Sequence, residues 1–328
     1  MIRAANHSSY PRIADSDQLV RAVWRAAARG AATSDEVATV EDEVTTLLVA
    51  EQSRAFIDIV TDGMVRWSGP LSHLARHLTG LETGGLRRWF STNFYERQPI
   101  VVGPIRRERA FLVRDWQVAQ EVAQKPVKAV LPGPLTFARL AQDETYGDLT
   151  KLAEALAEAL AAEVADLAAA GATCFQLDEP LLCRQPQDFD LVAATAGRIF
   201  QAAGAGATTI LSTYFGELTA VADRLGRLPG THLGLDLAAG PANLDLLDRL
   251  PEGKGVVLGL FDATTTIQED ATDVAARLAP FEGALARRDV IVGPSAGLEL
   301  LPRDQAFDKL LHARYLVEKL SREWTWRC

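Results

Sequence analysis

The sequence predicts an α/β protein folded as a (β/α)8 TIM barrel, and three observations carry that expectation. Short apolar, β-branched runs alternate with longer segments of helical periodicity across the 328 residues. About eight such runs fit, the number a closed barrel needs, and this length is ordinary for one. Asp, Ser, Gly and Pro cluster just behind the runs, as expected where strand ends open onto one face. No Pro/Gly/Ser-rich stretch divides the chain, so residues 1–328 read as a single barrel domain.

The expected strands are, in order, residues 3–8, 55–60, 127–131, 173–178, 208–212, 231–235, 255–260 and 289–292. The best-defined helix precedes the fourth of them. Leu152, Leu156, Leu160, Val164 and Leu167 recur at helical spacing, with Glu154, Glu158 and Asp166 on the wet side. Asp148 is placed to cap this helix and Gly171 to stop it. Residues 86–113, with Tyr95, Pro99 and Val101-Val102, interrupt the alternation and are expected to form an inserted ribbon. His73 and His77 stand four apart on a helix with no third ligand beside them, and read as a solvated face.

Charge and cysteine usage narrow the function classes. The 34 Lys+Arg against 43 Asp+Glu give a formal charge of -9, which argues against nucleic acid or an anionic membrane as partner. No run reaches the roughly 20 apolar residues needed to span a bilayer, and no signal-peptide pattern opens the chain. Cys174, Cys183 and Cys328 are odd in number and widely spaced, which fits a cytoplasmic setting without disulfides.

The residues behind the runs are the candidate site. His7-Ser8-Ser9-Tyr10-Pro11-Arg12 follow the first, Asp62-Gly63 and Arg66 the second, and Gly133-Pro134-Leu135-Thr136 the third. Asp178-Glu179-Pro180 follow the fourth, Ser212-Thr213-Tyr214-Phe215-Gly216 the fifth, Asp236 the sixth and Asp262 the seventh. Gly293-Pro294-Ser295-Ala296-Gly297 close the list. Asp62, Asp178, Glu179, Asp236 and Asp262 on one rim repel one another and call for a cation, either a substrate ammonium or Arg12 and Arg66. Such a rim suits a small amino-acid-like substrate and suits a bare polyanion poorly. His7 is a candidate general base or a hydrogen-bonded structural histidine, and Tyr214 a hydrogen-bond donor or a packed rim aromatic. Ser212 and Ser295 lack the context of a nucleophile and are candidate polar contacts.

The same residues carry a family resemblance. Gln176-Leu177-Asp178-Glu179-Pro180 resembles the QIDEP motif of the cobalamin-independent methionine synthase family. Ser9-Tyr10-Pro11-Arg12, Asp62-Gly63-Met64-Val65-Arg66, Thr92-Asn93-Phe94-Tyr95 with Gln98-Pro99, Gly133-Pro134-Leu135-Thr136, Thr213-Tyr214-Phe215-Gly216 and Gly293-Pro294-Ser295 are similar to further family motifs, in the family's order. The resemblance implies a barrel of the methionine synthase/uroporphyrinogen decarboxylase-like kind. Such barrels move a methyl group from a methyl-folate, or in short forms a methyl-corrinoid, onto homocysteine sulfur. It implies that Asp178 holds the amino group and that the backbone around Ser8-Ser9 takes the carboxylate. It implies too that Gly133, Thr136 and residues beyond Glu179 border the methyl donor. Arg106-Arg107 and Arg114 are candidates for a folate's polyglutamate tail.

One departure matters for the chemistry. Catalytic members of the family hold zinc through a His-x-Cys pair, a Glu and a second Cys. In this sequence those positions read Ser212-Thr213-Tyr214, Asp236 and Ala296. One carboxylate falls short of a zinc site, so no metal is expected here. Two readings follow. The chain is a methyltransferase whose acceptor is activated without a metal-bound thiolate, by His7, Asp178, Tyr214 or Asp236. Alternatively it is a non-catalytic barrel, resembling the N-terminal half of the long enzymes, that binds folate or a partner while a second chain does the chemistry.

Overall fold

In the computed structural model all residues are described except 13, 91, 93, 94, 327 and 328, and the side chains of 14–18 are likewise not described. Asn93, Phe94 and Cys328 therefore lie outside the described residues. The strands in chain order are β1 (Ile2–Ala4), β2 (Thr79–Arg88), β3 (Tyr95–Arg106), β4 (Ala129–Pro132), β5 (Gln142–Asp143), β6 (Cys174–Asp178), β7 (Thr208–Ser212), β8 (His232–Asp236), β9 (Gly255–Phe261) and β10 (Val290–Pro294). Among the described residues, seven of them form one curled parallel sheet in the order β1-β10-β9-β8-β7-β6-β4, with helices packed outside it.

The second expected strand is a correction. Residues 55–60 form no ladder, only two isolated parallel bridges, Ala5–Ile59 on the β1 side and Val60–Val127 on the β4 side. The segment keeps backbone bonds to both neighbours, with the Asn6 amide donating to the Ile59 carbonyl at 3.1 Å and the Lys128 amide to the Val60 carbonyl at 2.9 Å, and side chains add to them. Asp58 Oδ2 accepts the Ala4 amide at 2.9 Å, while Gln52 accepts the Thr61 amide at 3.0 Å and donates to its carbonyl at 2.9 Å. Backbone groups buried here are thus satisfied by a short bridge to each neighbour together with these side chains.

The helix before β6 runs Leu149–Ala169 and starts where the Asp148 carboxylate accepts the Lys151 amide at 3.0 Å. It ends ahead of Gly171, which adopts φ +108, a region glycine enters at little cost. Leu152, Leu156, Leu160, Val164 and Leu167 are all buried, each contributing about 1.5–3 kcal/mol.

Inside the curl, Ala5, Ile59, Cys174, Ile210, Val257 and Ile291 form a separate apolar cluster. Two residues further along β6 and β7 stand the polar Gln176 and Ser212, and beyond them the C-terminal ends of the strands. The apolar layer therefore plugs one end and the chemistry collects at the other.

β2 and β3 pair as an antiparallel hairpin, and β3 pairs with β5. The ribbon thus begins at Thr79, before residue 86, because the helix Pro70–His77 leads directly into it. His73 is buried rather than solvated, its ring stacked on Trp67 at 4.2 Å and meeting His77 at 4.6 Å.

Candidate functional site

A cavity of about 120 Å³ opens at the C-terminal ends of the strands. Ser8, Ser9, Thr136, Asp178 and Tyr214 line it, as the sequence suggests, together with Glu96, Glu299, Trp89, Phe90 and Phe215. A larger cleft of about 630 Å³ adjoins it, sharing Ser9, Met64, Pro70, Glu299 and Leu300, and carries Arg12, Trp24, Trp67 and Tyr95.

Asp178 ends β6 and is buried at the cavity wall. Its Oδ1 accepts Gln176 Nε2 at 2.7 Å, and the Tyr214 hydroxyl stands 3.5 Å from Oδ2. Burial pushes its carboxyl up to about 7, against the Gln176 amide and the Lys128 ammonium, which favour the ionised form. Burial likewise pushes Glu96 up to about 7, although the Ser72 amide donates to it at 2.7 Å. Glu299 is raised by burial and accepts the Ser9 hydroxyl. Three carboxylates whose burial favours the protonated form therefore face one small space, and a cation entering it would favour their ionisation.

The five rim acids named from the sequence do not gather there. Of them, Asp178 alone lines the cavity. Glu179 is fully buried and accepts the amides of Leu135 at 2.9 Å and Thr136 at 2.8 Å and the Thr136 hydroxyl at 2.7 Å. It caps the helix Pro134–Leu140, with Gly133 packed against its side chain. Asp236 accepts the amides of Phe215, Ala238 and Ala239 and so anchors the loop behind β7. Asp62 accepts the Met64 amide and Asp262 the Thr264 amide, each closing its own tight turn.

Other candidates are also engaged elsewhere. Arg66 pairs with Asp42, Glu41 and Asp115 behind the second segment. Arg12 donates to the Trp67 carbonyl at 2.6 Å in the adjoining cleft. His7 is buried, with one ring nitrogen 2.9 Å from Ser8 Oγ and the other 3.0 Å from Ser212 Oγ, its edge against Tyr214. Burial holds His7 well below the usual imidazole range, so it is neutral at pH 7. The Ser295 hydroxyl accepts the Ala263 amide. Arg107 pairs with Glu163 and Asp166, and Arg114 with Asp42.

Sequence reasoning missed Glu96, Glu299 and the aromatic wall. Glu299 had a signal, since it lies two residues past the Pro294–Gly297 turn behind β10. Glu96 and Phe90 had none, because only the folding back of the hairpin brings them over the mouth. Phe90 and Phe215 both adopt positive φ, 63° and 60°, and their rings meet at 5.5 Å. Backbone strain of this kind concentrates where side chains are held for a purpose.

The zinc that the family resemblance implies needs donor atoms that these residues do not offer. Ser212 is bound to His7, Asp236 is committed to three backbone amides, and Ala296 carries no donor atom. Tyr214 faces Asp178 instead. This donor set does not fit a zinc ion.

Comparison with known proteins agrees with the architecture. A family model described as the catalytic domain of cobalamin-independent synthase matches residues 4–319. A methionine synthase from Sulfurisphaera tokodaii is 26% identical over 308 residues, covering 93% of this chain and 88% of that protein. One from Methanothermobacter thermautotrophicus is 29% identical over 269 residues, covering 80% and 84%. Among solved structures, a B12-independent methionine synthase from Shewanella sp. W3-18-1 in complex with selenomethionine superposes with a TM-score of 0.84 at 22% identity, covering 98% of each chain. A putative vitamin-B12 independent methionine synthase from Listeria monocytogenes gives 0.73 at 18% identity, covering 96% of each. At those identities the structures speak for the fold, while the family model spans nearly the whole sequence: the chain belongs to the family of cobalamin-independent synthase catalytic domains.

Proposed function

We propose that this chain is a methyltransferase of the methionine synthase type, which binds a small amino-acid-like acceptor in the cavity beside Asp178. The observation that carries the reading is the Asp178 carboxylate, buried at the cavity wall and held by Gln176 and Tyr214. Its partner is a ligand ammonium, with Glu96 and Glu299 closing around the same charge. The backbone at Ser8 and Ser9 receives the ligand carboxylate. Met64, Leu71, Phe90 and Phe215 hold its apolar part and exclude water from it. The methyl donor, a methyl-folate or methyl-corrinoid, approaches from the adjoining cleft, whose volume lies in the usual range of ligand sites. Segment 58–61 occupies the eighth position of a closed (β/α)8 barrel, and the chain works as one domain in the cytoplasm.

Ser212, Tyr214 and Ala296 at the zinc positions favour a second reading, a barrel that binds amino acid or folate while another protein supplies the chemistry. Calorimetry with L-methionine and L-homocysteine, followed by a methyl-transfer assay with each donor, separates the two. Binding with turnover supports the enzyme. Binding without turnover, with activity restored by a copurifying protein, supports the second reading; no binding of either amino acid rejects the first, and no binding of folate as well rejects both.

A further inference from the structure

We propose that Lys128 is a positioning residue for Asp178, acting through the side-chain amide of Gln176. Lys128 stands between the Val60–Val127 bridge and β4, and its side chain is fully enclosed. Nζ donates to Gln176 Oε1 at 2.5 Å, and Gln176 Nε2 donates to Asp178 Oδ1 at 2.7 Å. An ammonium has donors only and an ionised carboxylate acceptors only, so the amide between them can satisfy both in one orientation. Lys128 thereby fixes which way Gln176 faces. Gln176 in turn holds Oδ1 and leaves Oδ2 toward Tyr214 and the cavity. With an apolar residue at 128, the amide is free to turn its oxygen toward the carboxylate and repel it.

The surrounding charges make Lys128 the counterweight to the acids. Asp178 faces Tyr214, Glu179 and Glu299 as well as Lys128. Lys128 itself faces Cys174, His7 and Asp178. Burial keeps the Cys174 thiol protonated, pushed up to about 11, and keeps His7 neutral. The Lys128 ammonium, lowered to about 8 by its own burial, is then the positive charge that these groups leave to favour ionised Asp178. Buried ionisable pairs of this sort act strongly on one another because water does not screen them.

The inference rests on reading Asp178 as the ligand's partner, and two measurements keep the two claims apart. The first is calorimetric binding of L-methionine between pH 6 and 9 by the wild type, Lys128→Met and Gln176→Met. Expected is an upward move of the binding midpoint by about one pH unit in both variants, a loss of about fivefold at pH 7 that recovers by pH 9. A loss of equal size at every pH, or an unchanged profile, overturns the proposal. The second is the carbon-13 titration of the Asp178 carboxyl in the free protein, which needs no ligand. If wild type fails to bind methionine, the functional reading falls while this titration still decides the role of Lys128. An Asp178 titration that coincides in wild type and variant overturns it. If Lys128→Met does not fold, Lys128→Gln carries both measurements with the same expected and overturning results, because an amide has no charge and, offering donor and acceptor alike, does not fix which way Gln176 faces.

Discussion

A Cβ on Gly133 would fall 2.1 Å from the Glu179 side chain. The contact is this close because Glu179 reaches under the loop to cap the helix Pro134–Leu140. Gly133→Ala must push that carboxylate away from two amides and a hydroxyl, all of them buried. The expected cost is about 2–3 kcal/mol, the scale of overpacking and of lost buried hydrogen bonds. Denaturant unfolding of Gly133→Ala and Glu179→Leu checks this, and both should weaken ligand binding through Thr136.

Asp178, Glu96 and Glu179 are each pushed up to about 7 by burial, from ordinary carboxylate values near 4. The folded state therefore binds their protons more tightly than the unfolded state does. Their contribution to stability is fully present below the unfolded values and is lost as pH rises through about 7. Thermal melts of the free protein should show a lower Tm at pH 8 than at pH 5.5. Asp178→Asn, which cannot ionise, should flatten that slope and raise the Tm at pH 8, while weakening L-methionine binding at least tenfold.

The parts of the fold that were legible are those where one local rule acts alone. Asp148 and Gly171 bound a helix because capping and positive φ are decided within a few residues. Gln176-Leu177-Asp178 reads as a strand ending in acid for the same reason. The second strand was not legible, since its apolar run 55–60 fits a ladder equally well. Only the positions of Asp58 and Gln52 show that side chains supplement the single backbone bridge on each side. In the site, strand-end logic marks Asp178 and Tyr214 but cannot say which rim acids turn inward. Glu179, Asp236 and Asp262 are consumed by nearby backbone amides, whereas Glu96 arrives from a hairpin remote in sequence.

The Tyr214 hydroxyl stands 3.5 Å from Asp178 Oδ2, where it can donate to the carboxylate. Burial and the neighbouring carboxylates raise its hydroxyl well above the usual phenol range, so it stays a donor at every accessible pH. Tyr214→Phe removes a donor that favours ionised Asp178. Affinity for L-methionine at pH 7 should fall about threefold to tenfold, the scale of one ordinary hydrogen bond, as suits a contact of 3.5 Å. The fold should be unaffected, with near-identical circular dichroism, because the ring keeps its edge contacts with His7 and Phe215. A Phe variant that binds as well as wild type would show that Gln176 alone orients the carboxylate.

The segment between β1 and β4 offers the sharpest test of how the curl is held together. Gln52 lies on the helix Ser34–Arg54, outside the sheet, yet its side chain serves Thr61 as a neighbouring strand would. It also accepts Asn6 Nδ2 at 3.1 Å, tying the end of the first strand to the same point. Gln52→Leu keeps the volume and removes all three bonds, leaving a buried amide and a buried carbonyl without partners. About 2–4 kcal/mol of stability should go with them. The loss should be local first: hydrogen exchange at residues 58–61 should rise sharply while the amides of β7 and β8 stay protected. Because Ser8 and Ser9 lie next to this joint, ligand affinity should fall with it even though no cavity side chain has been altered.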